Sequence, residues 1–236
     1  MSDKVQDQQS SLLGSVNLLT HLDTSELADL AKKCSWRHYS VNEQIIDRQS
    51  ESRDIYFVVE GSVRIANFSL SGREITLNDL LKGAHFGELA AIDGYPRSAS
   101  VVALTDCHLA ALSPTYFEEL CQSHPKIAFQ VMRSLASIVR SATERIMDLS
   151  TLAANNRVQS DLLREAKQNM TGENTAEIKP IPVHSNVASR VSTTRETVAR
   201  VMNDLARQGI VERAKSSLKV LDVDVLEEMV IEVKGD

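Results

Sequence analysis

The stretch FGELAAIDGYPRSAS, residues 86–100, decides how the chain is read. A glycine turn leads into an acid, Glu88; a second glycine and a proline lead to an arginine, Arg97; two small residues then open a β-prone run. Hiding both charges in a β-rich core is costly unless something meets them. A ligand with a phosphate and a sugar hydroxyl would do so. Arg97 offers a planar fork of donors to the phosphate, the amides around Gly87, Ser98 and Ala99 add to it, and Glu88 offers an acceptor to a ribose hydroxyl. The competing reading is a Glu88–Arg97 ion pair at the surface, a common contact worth little. Taken one residue at a time, the sequence leaves both open.

The flanks agree with a β-rich setting. From Tyr39 to Leu112 short apolar runs, among them Ile55 to Val59, Val63 to Ala66 and Ser100 to Leu104, are punctuated by Gly61, Gly72, Gly83, Gly87 and Gly94, the pattern of a compact antiparallel barrel or roll. Ahead of it, Val16, Leu19, Leu22, Leu27, Leu30 and Ala31 are spaced for short amphipathic helices. Residues 1–14 read as a disordered tail, without the basic start and apolar block of an export signal. Behind the roll, Ser113-Pro114 is an N-cap and N1 pair for a helix to about Gln122. After Pro125 no glycine or proline occurs until Gly172, and Val131, Leu135, Ile138, Ala142, Ile146, Leu149 and Ala153 recur at steps of three and four. Such a seam packs on its own domain or on a twin helix; a two-fold partner would bury the side the domain cannot cover, so a homodimer is expected. A second helix, about Arg157 to Gln168, precedes a loop from Met170 to Glu177.

Charge singles out the C-terminal third. The chain carries −6 overall, yet between Lys179 and Leu221 eight basic residues face three acidic ones, so the basic charge is local. There Ser185 is expected to cap a short helix to about Val191. Ser192-Thr193-Thr194 then make a turn, and Arg195 to Arg207 form a second helix closed by Gly209. This is helix-turn-helix spacing, with Ala188 small at the crossing and Val198, Val201, Met202 and Leu205 facing inward. Arg195, Glu196, Ala199 and Arg200 lie outward: an arginine fork suits guanine O6 and N7, and a carboxylate suits cytosine N4. Ile210 to Arg213 and Leu218 to Leu221 predict a two-stranded wing with Lys215 and Lys219 able to reach phosphates. A solvated helical hairpin is the plainer alternative.

Several classes are disfavoured. Cys34, Cys107 and Cys121 are odd in number and irregularly spaced, which fits neither a disulfide framework nor paired zinc thiolates. The six histidines, including His85 beside the Phe86 stretch, show no ligand spacing, and no nucleophile elbow or Walker loop occurs, so neither a metal site nor an enzyme is expected. No apolar run approaches the roughly 20 residues of a membrane helix.

The Phe86–Ser100 stretch closely resembles the phosphate-binding cassette of cyclic-nucleotide-binding domains. Thr194 to Arg200, TRETVAR, nearly repeats the recognition-helix motif of the bacterial cyclic-AMP receptor protein (CRP/FNR) family, and the resemblance runs from Leu18 to Leu221. It implies an α+β chain: a cyclic-nucleotide-binding, jelly-roll-like β-roll over 15–122, a dimerisation helix over 123–153 and a winged helix-turn-helix over 154–236. It implies a ligand site of Phe86, Gly87, Glu88, Leu89, Arg97, Ser98 and Ala99, with Glu88 on the ribose hydroxyl and Arg97 and Ser98 on the phosphate. Ala142 and Thr143 face the base across the dimer. The implied DNA-contacting residues are Ser185, Thr194, Arg195, Glu196, Thr197, Arg200, Lys215 and Lys219, reading a TGTGA-like half-site.

Cyclic AMP is the implied effector. Ala142, standing where a hydroxyl is usual, keeps cyclic GMP, another ligand or a vestigial pocket open. Ser192 and Ser50 replace glycines, with the strain of positive φ implied at both. The implied partners are double-stranded DNA, a second copy of the chain and RNA polymerase, in the cytoplasm and without a membrane. A cyclic-nucleotide-binding regulatory module of a protein complex would use the cassette but leave TRETVAR idle.

Overall fold

Alternation along the strands builds the N-terminal half. β1 (Ser35–Tyr39), β2 (Gln44–Ile46), β3 (Ile55–Glu60), β4 (Ser62–Phe68), β5 (Glu74–Leu81), β6 (His85–Phe86), β7 (Ser100–Ala103) and β8 (Cys107–Leu112) form two antiparallel four-stranded sheets, ordered β1-β8-β3-β6 and β2-β7-β4-β5. β3 shows why they form a roll. Ile55, Phe57 and Val59 pack on the helices, while Tyr56 and Val58 turn into the roll beside Phe86, Val101 and Leu109. A strand covered on both faces reads as an unbroken apolar run.

This computed structural model describes residues 2–70, 72 and 74–234, so Met1 of the expected tail and residues 235–236 of the expected C-terminal domain lie outside the described residues. The chain divides into two units, Met1–Ile138 and Val139–Asp236. In the first, α1 (Ser2–Leu13), a 3₁₀ turn at Asn17–Leu19, α2 (Thr24–Lys33), α3 (Glu88–Asp93), α4 (Pro114–Ser123) and the start of α5 (Pro125–Thr151) accompany the sheets. Asp23 caps α2 in a reciprocal box with Glu26, and Ser113 with Pro114 opens α4.

Helix α1 corrects the expected disordered tail. Its composition is polar, but Leu13 at its end is wholly buried with Val16, Leu19, Leu30 and Phe117, Leu12 packs against the same cluster, and these contacts tie the segment to the core. The seam of α5 is also divided. Val131 is buried in its own unit, whereas Met132, Val139 and Ile146, seven residues apart, are each more than half exposed.

The second unit contains α6 (Ala154–Gln168), β9 (Ala176–Ile178), α7 (His184–Arg190), α8 (Arg195–Arg207), β10 (Val211–Arg213), β11 (Leu218–Val220) and α9 (Val223–Lys234). Its core gathers Val158 and Leu162 from α6, Val187 and Ala188 from α7, and Val198, Val201 and Leu205 from α8; Leu226 and Val230 of α9 join them. The wing is one strand wider than expected, since β9 pairs with β11 to give the order β10-β11-β9. Ser185 is not the N-cap: α7 begins at His184 after Val183, with no side-chain cap, and Ser185 lies inside the first turn. Ser192 does take positive φ, 54°, but Ser50 does not; in that loop the left-handed residue is Gln49, at 68°.

Leu13→Ala should lower unfolding free energy by about 2–5 kcal/mol, measured by urea titration of the full chain. A change under about 0.5 kcal/mol would return the segment to the status of a surface residue.

Candidate ligand site and nucleic-acid interface

Arg97 is 4% exposed and Glu88 7%, so the surface ion pair is overturned. The arginine is met by backbone rather than by acid. Its Nε donates to Ser52 Oγ at 3.1 Å, Nη1 to the Gly87 carbonyl at 3.0 Å and Nη2 to the Asp54 carbonyl at 2.7 Å. Among the described residues no carboxylate pairs with it, and one N–H is left on each terminal nitrogen. The loop ahead of β3 is clasped to it at the main chain too, Gln49 N donating to Arg97 O and Arg97 N to Ser50 O. Burial lowers the Arg97 pKa, opposed by Tyr56, Asp54 and Glu88; the guanidinium also lies 5.7 Å above the Tyr56 ring.

Gly87 is required by this packing. It takes φ 86°, and a Cβ there would stand 2.6 Å from Arg97 Nη1 and 2.9 Å from the Asp54 carbonyl. It also starts α3, whose first residue is Glu88. Burial pushes the Glu88 carboxyl up, with its own amide and Arg97 opposing. Phe86 and Ala99 are buried around the arginine, while Leu89 and Ser98 are exposed. The amides of Ser98 and Ala99 have no protein acceptor among the described residues, and the buried Oδ1 of the neighbouring Asn67 is unpartnered. A cation with donors to spare, beside free amides and a buried acid, has the chemistry that a cyclic phosphate on a ribose needs. Ala142 and Thr143 belong to the second unit; both are exposed, and Thr143 Oγ1 donates to Val139 O at 2.9 Å.

The α7–α8 pair carries the other surface. Thr194 caps α8, its hydroxyl accepting from Thr197 N. Arg195 and Glu196 are exposed at the helix start. The Glu196 carboxyl is held below its usual range by its own amide and by Thr194, so it stands ionised as an acceptor. Arg200 is turned aside, Nη2 donating to Asn155 Oδ1 of α6 at 3.1 Å. Lys215 is exposed in the turn between β10 and β11, whereas Lys219 lies in register between Glu212 and Glu177. Sequence reasoning gave no part to His184, the first residue of α7, whose pKa is lowered first by burial and then by the charges of Arg195 and Arg213. Ser185 is exposed on α7. Among the described residues no cluster of three metal-ligating side chains occurs and no helix is long and apolar enough to cross a membrane.

A roll with a buried arginine and a winged helix-turn-helix together define a cyclic-nucleotide-binding, DNA-binding transcription regulator. Residues 36–124 match the cyclic nucleotide-binding domain and residues 156–229 the Crp-like helix-turn-helix domain. The chain is 32% identical over 212 residues to the "Cyclic AMP receptor protein" of Thermus thermophilus, covering 89% of this chain and 95% of that one. It is 31% identical over 199 residues to the "cAMP-activated global transcriptional regulator Vfr" of Pseudomonas aeruginosa, covering 82% and 90%. A solved mutant of CooA from Carboxydothermus hydrogenoformans shares the fold, with a TM-score of 0.79 at 20% identity over 90% of this chain and 94% of that one. This chain belongs to the cyclic-AMP receptor protein (CRP/FNR) family.

Glu88→Gln tests the burial of the acid. A carboxyl whose folded pKa is raised supports the fold fully below its unfolded pKa and loses that support as pH rises. The variant should therefore melt higher than the parent at pH 7, and the gap should close as pH falls below about 4.3. Equal melting temperatures at both pH values would contradict it.

Proposed function

We propose that the chain is a homodimeric regulator whose effector is cyclic AMP and whose target is a TGTGA-like palindrome. The observation that carries the sensing half is the buried Arg97 fork, held by two carbonyls and a hydroxyl with donors remaining for an anion. Arg97, with Ser98 and its free amide, holds the phosphate, and Glu88 accepts from the ribose hydroxyl. Phe86, Gly87, Leu89 and Ala99 shape the wall. Both relatives at 31–32% identity are named for cyclic AMP, which supports that choice of effector. A second reading, cyclic GMP or another nucleotide, rests on Ala142, which brings no hydroxyl to the base beside Thr143.

The exposed stripe of Met132, Val139 and Ile146 supports the dimer, because such a heptad face is covered most simply by its own copy. Two reading heads on a dimer imply half-sites one DNA turn apart, roughly 34 Å. Arg195, Glu196 and, once released from Asn155, Arg200 read base edges, while Thr194, Thr197, Ser185, Lys215 and Lys219 meet the backbone. The chain acts in the cytoplasm through RNA polymerase, without a metal or a catalytic step. Effector binding moves the population of DNA-competent dimers only by its differential affinity for the two states.

Parallel calorimetry with cyclic AMP, cyclic GMP and a cyclic dinucleotide tests the effector; micromolar cyclic AMP binding with the others much weaker is expected, and the reverse order would overturn it. Arg97→Ala should abolish nucleotide-stimulated DNA binding while basal binding to the palindrome persists; stimulation that survived would refute the phosphate assignment. Arg195→Ala should weaken the specific complex by about 1–3 kcal/mol and relax one base position in a gel-shift series. An unchanged base preference would remove Arg195 from the reading set.

A further inference from the structure

Three successive carbonyls at the turn between α7 and α8, those of Arg190, Val191 and Ser192, accept from guanidinium groups on other helices. Arg145, on α5 within the second unit, donates from Nε to Arg190 O at 3.1 Å, and its Nη2 reaches the same oxygen. Arg157, in the first turn of α6, donates from Nε to Val191 O at 2.8 Å and from Nη2 to Ser192 O at 3.1 Å, with Nη1 on Leu152 O at 2.9 Å. The turn has two needs that these contacts meet. Carbonyls at a helix end lack helical donors and carry partial negative charge. Ser192 sits at φ 54°, a left-handed conformation that a side chain disfavours.

The helices that carry these arginines and the turn are tied to one another by other ion pairs. Arg190 is tied to Asp161 of α6 at 2.7 Å, and Arg164 of α6 to Asp148 of α5 at 2.9 Å, with Ser160 on the same Asp148 carboxylate. The end of α5, the start of α6 and the α7–α8 turn thus share one polar network. Arg145 also follows Thr143 by two residues on the same helix.

We infer that Arg145 and Arg157 are positioning residues for DNA reading: their guanidinium groups grip the α7–α8 turn and fix where the recognition helix begins. They hold in place a left-handed Ser192 that a glycine would adopt unaided. The inference rests on the reading of α8 as the base-contacting helix. Through Arg145, displacement of this stretch of α5 reaches Arg190 O directly, without passing through the apolar core.

The test uses full-length Arg145→Ala and Arg157→Lys proteins, each with and without Ser192→Gly. Affinities for the palindrome and for a random duplex are compared at one salt concentration, melting is followed, and amide exchange is measured over residues 184–207. Arg145→Ala should weaken the palindrome complex about tenfold, the random complex less than about twofold, and speed exchange at residues 190–194. Ser192→Gly should recover most of the loss in Arg157→Lys. The proposal is overturned if both arginine variants stay within about twofold of the parent with unchanged exchange. It is equally overturned if both duplexes and the melting temperature fall together with no recovery by Ser192→Gly, which would be general destabilisation. Arg195→Ala is the reference: should it leave base preference intact, the reading of α8 has failed, and exchange at residues 190–194 then decides the grip by itself.

Discussion

A guanidinium taken out of water has to be met on its donor edges, and the first unit is arranged around meeting Arg97. An unpaired buried charge costs several kcal/mol, so its neighbours cannot vary independently. Ser52 and Asp54 come from the loop ahead of β3 and Gly87 from the turn into α3, and the same arginine exchanges main-chain bonds with residues 49 and 50. One side chain thereby sets the loop, the turn and the start of α3 together. Gly87 is a consequence of that convergence, since no Cβ fits between Arg97 Nη1 and the Asp54 carbonyl.

The chemistry of the partners matters as much as their number. Carbonyls orient a guanidinium without cancelling its charge, whereas a carboxylate in contact would do both. Arg97 has the first kind of partner, so its positive charge stays available to an anion while its direction is fixed. Arg145 and Arg157 meet carbonyls as well, but there the receiving groups form the end of a helix and a left-handed residue, and the benefit falls on the backbone. Arg64 shows the contrasting case. Buried at 8% exposure and gripped by Asp79 and Glu74 across β4 and β5, it is a neutralised brace in the sheet.

Much of this was legible from residue order. The β3 run, the Phe86–Ser100 stretch, the Ser113-Pro114 start and the Arg195–Arg207 helix depend on local patterns, and the structure forms them within a residue or two. What escaped depends on distant partners. Helix α1 has a polar composition with its buried anchor only at the end, so periodicity carried no signal. Strand β9 is three residues long and pairs with β11 some 40 positions away. The cap of α7 went to Val183 although Ser185 has the better local chemistry, because packing of Val187 and Ala188 sets where that helix lies. The arginine contacts with the turn at 190–192 span 34 to 45 positions and leave no trace in spacing. For the candidate ligand site, sequence proposed residues but could not say whether Glu88 and Arg97 face each other at the surface or lie buried.

The water-facing stripe of Met132, Val139 and Ile146 carries a consequence for the protein as a population of molecules. In the proposed homodimer a twin covers this apolar surface, and folding and pairing become one equilibrium, so that the resistance of a protomer to unfolding would rise with how many copies share the solution. Under that proposal gene dosage enters the physics directly: a cell that makes few copies would hold a less stable molecule, as well as fewer of them.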